Sequence, residues 1–181
     1  MMTFDPTAYE NFKIIIEGSL YDADFTGDIK ITNRSELIDL AILSRSFDMQ
    51  FKLPKYDGLI GGIQIRASLK NLADEILFHN DSLAAAHIDV YFQYEEKDES
   101  KEGMVHSLAA SLQHIWGSDR EILTSITKHY HNNAYSHHAN KLIVSFNRLV
   151  SEEQADDLYE LVEFAIRSLV MLSEEKNKVN L

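Results

Sequence analysis

The apolar and polar positions sort this chain into stretches that repeat every two residues and stretches that repeat every three to four. From Phe47 to Leu53 every odd residue is apolar and every even one polar, and Pro54 stops the run. A two-residue period predicts a strand with one buried face and one wet face. Ile63-Gln64-Ile65-Arg66 repeats it after Gly61-Gly62, and Ile88, Val90, Phe92 and Tyr94 repeat it against Asp89, Gln93 and Glu95. Leu142-Ile143-Val144-Ser145-Phe146 reads as a short, well-buried strand. Near the N-terminus Phe12, Ile14 and Ile16 alternate with Lys13 and Glu17, which predicts a further strand, and Ile15 adds burial on its second face. The turn-rich stretch 22–28 then leads into Ile29-Lys30-Ile31, as in a hairpin with a long loop.

The remaining stretches follow helical spacing. Asn33 with Glu36 is expected to cap a helix over 34–45, and Leu69, Leu72, Ala73, Ile76 and Leu77 mark a shorter one within 67–78. Between Met104 and Trp116 the set Val105, Leu108, Ala109, Leu112 and Ile115 forms one helical face, which Gly117 can end. Ser118-Asp119-Arg120-Glu121 and Ser151-Glu152-Glu153-Gln154 both have capping-box spacing, so helices are expected after each. In the last helix Leu158, Val162, Ala165, Leu169 and Leu172 step by four and three, with Leu161, Ile166 and Val170 widening the stripe. Such a stripe needs a broad apolar surface. The sheet of its own subunit is the expected one, and the same helix of a second copy, giving a homodimer, is the alternative. The fold expected is a single α+β domain over residues 1–181. It has two layers: a mostly antiparallel sheet of five or six strands, helices on one face and a long C-terminal helix, with 173–181 a frayed tail.

Composition narrows the function classes. The 181 residues include no cysteine, which excludes disulfides, thiolate metal sites and thiol catalysis, and fits a reducing compartment. The longest apolar stretch, Phe164 to Leu172, is short and carries Arg167, and Met1-Met2-Thr3-Phe4-Asp5-Pro6 has neither the basic nor the apolar segment of a secretory signal. Cytoplasmic residence without membrane contact is expected. A net charge of −12 repels nucleic acid and favours basic partners.

Two constellations suggest chemistry. Six of the eight histidines lie between 106 and 138, with His129, His131, His137 and His138 the candidates for a metal. Were 119–131 helical, His129 and His131 would point about 200° apart. The run contains no carboxylate, and no HExxH is present. Asp81 followed by Glu95-Glu96-Lys97 has the order of a magnesium nuclease, but the negative field opposes such a substrate. There is no Gly-x-Ser-x-Gly elbow, Walker loop or GxGxxG. No catalytic set and no cofactor are therefore expected.

The acidic residues suggest recognition instead. Glu152, Glu153, Asp156, Asp157, Glu160 and Glu163 recur at three- and four-residue spacing, which on one helix makes a negative ridge opposite the apolar stripe. A solvated outer face and dipole-complementing first turn are the ordinary account. The function expected is a non-catalytic cytoplasmic interaction module, a subunit, regulator or inhibitor that presents this ridge to a basic protein surface. A metal-dependent enzyme or metal-binding protein built on the histidine tract is the alternative, and a structural homo-oligomer a third.

Overall fold

The structure, a computed structural model, describes residues 8–68 and 85–179. Among the described residues three helices, α1 (Ala8–Thr26), α2 (Met104–Trp116) and α3 (Asp157–Val179), accompany seven strands. The strands are β1 (Lys30–Asp39), β2 (Ser44–Lys52), β3 (Ile60–Ala67), β4 (Ala85–Glu96), β5 (Glu121–His131), β6 (Ala134–Ser145) and the two-residue β7 (Val150–Ser151). Six of them form an open sheet in the order β1-β2-β3-β4-β6-β5, and β7 pairs with the start of β4. Every pairing is antiparallel. This is the α+β architecture that the alternating runs predict.

Register explains the core. Met49 faces Ile63, Ile63 faces Val90 and Val90 faces Val144, so one row of side chains crosses four strands on the same face. Phe51, Gly61, Phe92 and Leu142 form the next row. All three helices pack on this side. α1 buries Phe12, Ile16 and Leu20, α2 buries Val105, Leu108 and Leu112, and α3 buries Leu158, Val162, Ala165, Leu169 and Leu172. The apolar stripe of α3 is thus covered largely by its own chain, with Val170 at its edge 36% exposed. The other sheet face carries Asp48, Gln50, Gln64, Asp89 and Gln93, all half-buried.

Four sequence expectations are corrected. Residues 12–16 are helical, because Tyr9, Phe12, Ile16 and Leu20 also satisfy the three-to-four period and are buried, whereas Ile14 stands 61% exposed. Residues 34–45 form not a helix but the β1–β2 hairpin, since β2 already begins at Ser44 and its backbone donors require a neighbouring strand. Residues 121–131 form β5 rather than a helix. Ile122 and Ile126 are four apart, a spacing that shares a face in both periods, and the β-branched Ile122, Thr124, Ile126 and Thr127 favour the strand. The β5–β6 turn is Asn132-Asn133, both left-handed at φ 50° and 64°, which suits a tight hairpin. Finally, α3 continues to Val179, so 173–179 is helix rather than tail. The helix expected within 67–78 falls outside the described residues from 69 onward.

Charge fixes the β1–β2 hairpin to α1. Lys13 Nζ lies 2.7 Å from Glu10 and 3.3 Å from Glu36, and Arg45 Nη2 lies 2.6 Å from Glu10 and 2.8 Å from Glu36. Arg45 also stacks 4.4 Å over the Tyr9 ring. Arg34 reaches Glu17 at 2.5 Å. Burial alone would raise the Glu10 and Glu36 carboxyls, but hydrogen bonds and charge from Lys13 and Arg45 more than reverse it and hold both below the ordinary 4.5. A carboxyl depressed in the folded state contributes stability above its unfolded value and loses it as pH falls. The hairpin is therefore expected to loosen from α1 as pH drops below 4.5, before the central strands change. Amide spectra recorded from pH 7 to pH 3 check this. Signals of residues 34–45 that hold until the β4 signals collapse would contradict it.

Candidate functional site

The hairpin fastened in this way projects an apolar tip. Residues 40–43 make the turn between β1 and β2, and Asp39 Oδ1 accepts from the Ala41 N–H at 2.8 Å and the Ile42 N–H at 3.4 Å. That side-chain turn shapes the tip from within. Around it Leu37, Ile38, Leu40, Ile42 and Leu43 are between 50% and 79% exposed. Single exposed aliphatics are ordinary, whereas three on the turn and two at the end of β1 concentrate exposed apolar side chains at one tip, as at contact surfaces. Leu43 adds a second oddity, a left-handed backbone at φ 53°. A branched side chain there costs about 1–2 kcal/mol relative to glycine. Local sequence thus places a bulky apolar group where folding alone favours a small one. An unfavourable residue held in an exposed turn points to a role outside folding. No polar reactive group lies on this tip beyond the Asp39 carboxylate, which is occupied by the turn, so what the arrangement can do is dock.

Sequence reasoning missed these residues by placing them inside a helix over 34–45. The available signal was the strand 47–53 itself. Its neighbour in an antiparallel sheet is most simply the segment just before it.

The acidic residues do not share one helix. Glu152 and Glu153 lie on a single 3-10 turn, Asp156 follows it, and only Asp157, Glu160 and Glu163 belong to α3. Ser151 makes no capping hydrogen bond with its side chain. Glu152 is half-buried and accepts from Asn11 of α1. Glu153, Asp156, Asp157, Glu160 and Glu163 are exposed, next to a 53% exposed Tyr159. Among the described residues these five carboxylates have no cation within ion-pair distance.

The histidine tract is divided by strand alternation. His129 and His137 are cross-strand partners whose rings stack at 4.4 Å between centroids. His131 sits beside the turn, beyond a register shift between His129 and Tyr130. His138 turns to the covered face and is fully buried. Its Nδ1 lies 2.5 Å from the Tyr135 hydroxyl, which also reaches the Glu96 carbonyl at 3.3 Å. The four candidate ligands are therefore not brought together, and among the described residues no three histidines or carboxylates are grouped as a metal site. Glu95 and Glu96 end β4 on opposite faces, Lys97 follows the strand, and Glu96 Oε1 accepts from the Lys97 N–H at 2.9 Å. Asp81 lies outside the described residues.

One end of the core is unexpectedly polar. Tyr94 and Asn140 are cross-strand partners, His138 is the next covered residue of β6, and all three are buried. The Tyr94 hydroxyl, both Asn140 amide atoms, His138 Nε2 and the buried Ser173 hydroxyl of α3 have no hydrogen-bond partner among the described residues. One turn beyond Ser173, the Lys176 ammonium lies 4.8 Å over the Tyr94 ring. Desolvation lowers the Lys176 pKa against the pull of Glu96, and burial raises Tyr94 to about 12.

Comparison with known proteins adds little to this geometry. No family model matches the chain, and no curated protein matches it in sequence. A crystal structure of an uncharacterized protein from Methanothermobacter thermautotrophicus is similar over 92% of this chain and 98% of its own, at 10% identity and a TM-score of 0.28. Among the described residues no helix is long and apolar enough to cross a membrane.

Proposed function

We propose that this protein is a protein-binding module whose contact is the tip of the β1–β2 hairpin, inserted into an apolar cleft of a partner. The observation that carries the reading is the exposure of Leu40, Ile42 and Leu43 on the turn and of Leu37 and Ile38 at the end of β1. The tip is convex, so the partner supplies the concavity. Buried apolar surface then provides the affinity, at about 25 cal/mol per Å² before the costs of association. The ion pairs behind the tip support the reading, because a pre-ordered hairpin loses less entropy on docking. Cytoplasmic residence belongs to the same proposal and rests on the cysteine-free composition.

A second reading keeps the acidic surface as the contact, and is favoured by the five exposed carboxylates without a cation nearby. One experiment separates the two. The protein is immobilised and exposed to an extract of its native host, beside a Leu40→Asp/Ile42→Asp variant and an Asp157→Asn/Glu160→Gln/Glu163→Gln variant. Retention that fails only for the hairpin variant, and persists as salt rises, is the expected result. Retention that fails only for the α3 variant, and fades with salt, supports the electrostatic reading instead. Equal retention by all three removes both.

A further inference from the structure

A cavity of about 400 Å³ lies between the C-terminal end of α2 and the first turns of α3, within the size range of small-molecule sites. Its wall is aromatic and preformed. Trp116 meets Phe146 edge-on at 6.1 Å between ring centroids and Phe164 at 5.7 Å. The indole is held in place by its Nε1–H, which donates to Ser168 Oγ at 3.0 Å. Ser168 in turn donates to the Phe164 carbonyl at 2.7 Å.

The arginines divide in a way that charge alone does not explain. Arg34, Arg45 and Arg66 each hold a carboxylate. Arg120, Arg148 and Arg167 hold none among the described residues, in a chain of net charge −12. All three stand at this aromatic cluster. Arg120 lies 4.8 Å over the Phe146 ring and Arg167 lies 5.2 Å over Phe164. Arg148 lines the cavity with Arg120 and donates to Gln154 Oε1 at 2.5 Å. Asp157 and Glu160 line it too, but they are exposed and sit in the first turn of α3, where acids complement the helix dipole.

We propose that this cavity binds a small monocarboxylate with an apolar body. Its chain or ring lies against Trp116, Phe146 and Phe164, and its carboxylate is taken by Arg120 and Arg148. A guanidinium presents paired N–H donors that match the two oxygens of a carboxylate, and the apolar wall around it strengthens the contact. Asp157 and Glu160 disfavour a dianion at the same mouth. The proposal is independent of the hairpin reading.

The test uses the full chain and its sole tryptophan as reporter. Octanoate, 1-octanol and octylamine are titrated separately while Trp116 emission is followed. A saturable change with octanoate is expected, at least about tenfold tighter than with the alcohol or the amine, as for one charge-assisted contact. Arg120→Met/Arg148→Met keeps the apolar stems and is expected to bring octanoate to the alcohol's affinity while leaving the alcohol unchanged. Equal affinity for acid and alcohol overturns the proposal, as does a response that never saturates or a double variant that binds octanoate undiminished. A peptide ending in leucine that binds more than tenfold tighter than octanoate overturns it in favour of a chain terminus. Comparison of the three probes on the unaltered protein decides the matter even where the double variant does not fold.

Discussion

Replacing Phe92 by alanine is expected to lower stability by about 3–5 kcal/mol, a large share of the total for a chain of this size. Phe92 is fully buried on β4, a central strand of the sheet. Its cross-strand partners on the covered face are Gly61 of β3 and Leu142 of β6. Gly61 offers no side chain there, and a Cβ added to it would meet Phe51 Cε2 at 2.9 Å. Phe51 of β2 and Leu169 of α3 fill the space over this glycine, and the glycine itself has no side chain that could relax into the hole. The cost combines lost transfer energy with an unrelaxed cavity. Urea unfolding of the two proteins measures it. A loss below about 1 kcal/mol would mean that the rows of the core are not as described.

Gly62→Ala acts on the opposite face and is expected to cost about 1–3 kcal/mol through overpacking. The added Cβ would lie 2.2 Å from Tyr91 Cζ and 2.5 Å from its hydroxyl oxygen. A tyrosine ring can ordinarily swing away from one methyl group, but this one is held. Its hydroxyl is 2.8 Å and 3.0 Å from the two Asp48 carboxylate oxygens, and the Lys141 ammonium sits 4.1 Å from the ring centroid. Burial, and then the Asp48 charge, raise the phenol pKa, so the hydroxyl remains a donor throughout the neutral range. Moving the ring breaks these contacts and uncovers a residue now 3% exposed. In a double-mutant cycle Gly62→Ala is therefore expected to cost much less when Tyr91 is already alanine. Additive losses would show that the ring is not the obstacle.

The four central strands were more legible than the two edges of the sheet, β1 and β5, or than α1. Strands with one wet face announce themselves, as Phe47–Leu53 does, because alternation over seven residues has no helical equivalent. Ambiguity entered wherever apolar residues were four apart, since that spacing lies on one face in both periods; Ile122 and Ile126 are such a pair. In α1 a run of three isoleucines hid a helix whose buried face is Tyr9, Phe12, Ile16 and Leu20. The β-branched run disfavours helix locally, and packing against the sheet overrides it. The hairpin tip was invisible for a related reason. A sequence reader assigns leucine and isoleucine to the interior, and nothing in Leu37–Leu43 says that the chain turns back on itself before they can be covered. The three arginines around Trp116 come from α3 and from the segments flanking β5 and β6, so only the tertiary fold assembles them.

The exposed tip is the centre of the functional reading, and amide hydrogen exchange of the protein alone and in complex with its captured partner tests it most directly. In the free protein the Ala41 and Ile42 amides donate only to the exposed Asp39 carboxylate and are expected to exchange fast. In the complex, exchange across 37–43 is expected to slow at least about tenfold, while 157–163 is unchanged. Unchanged exchange across 37–43, with protection appearing on α3 instead, would contradict it.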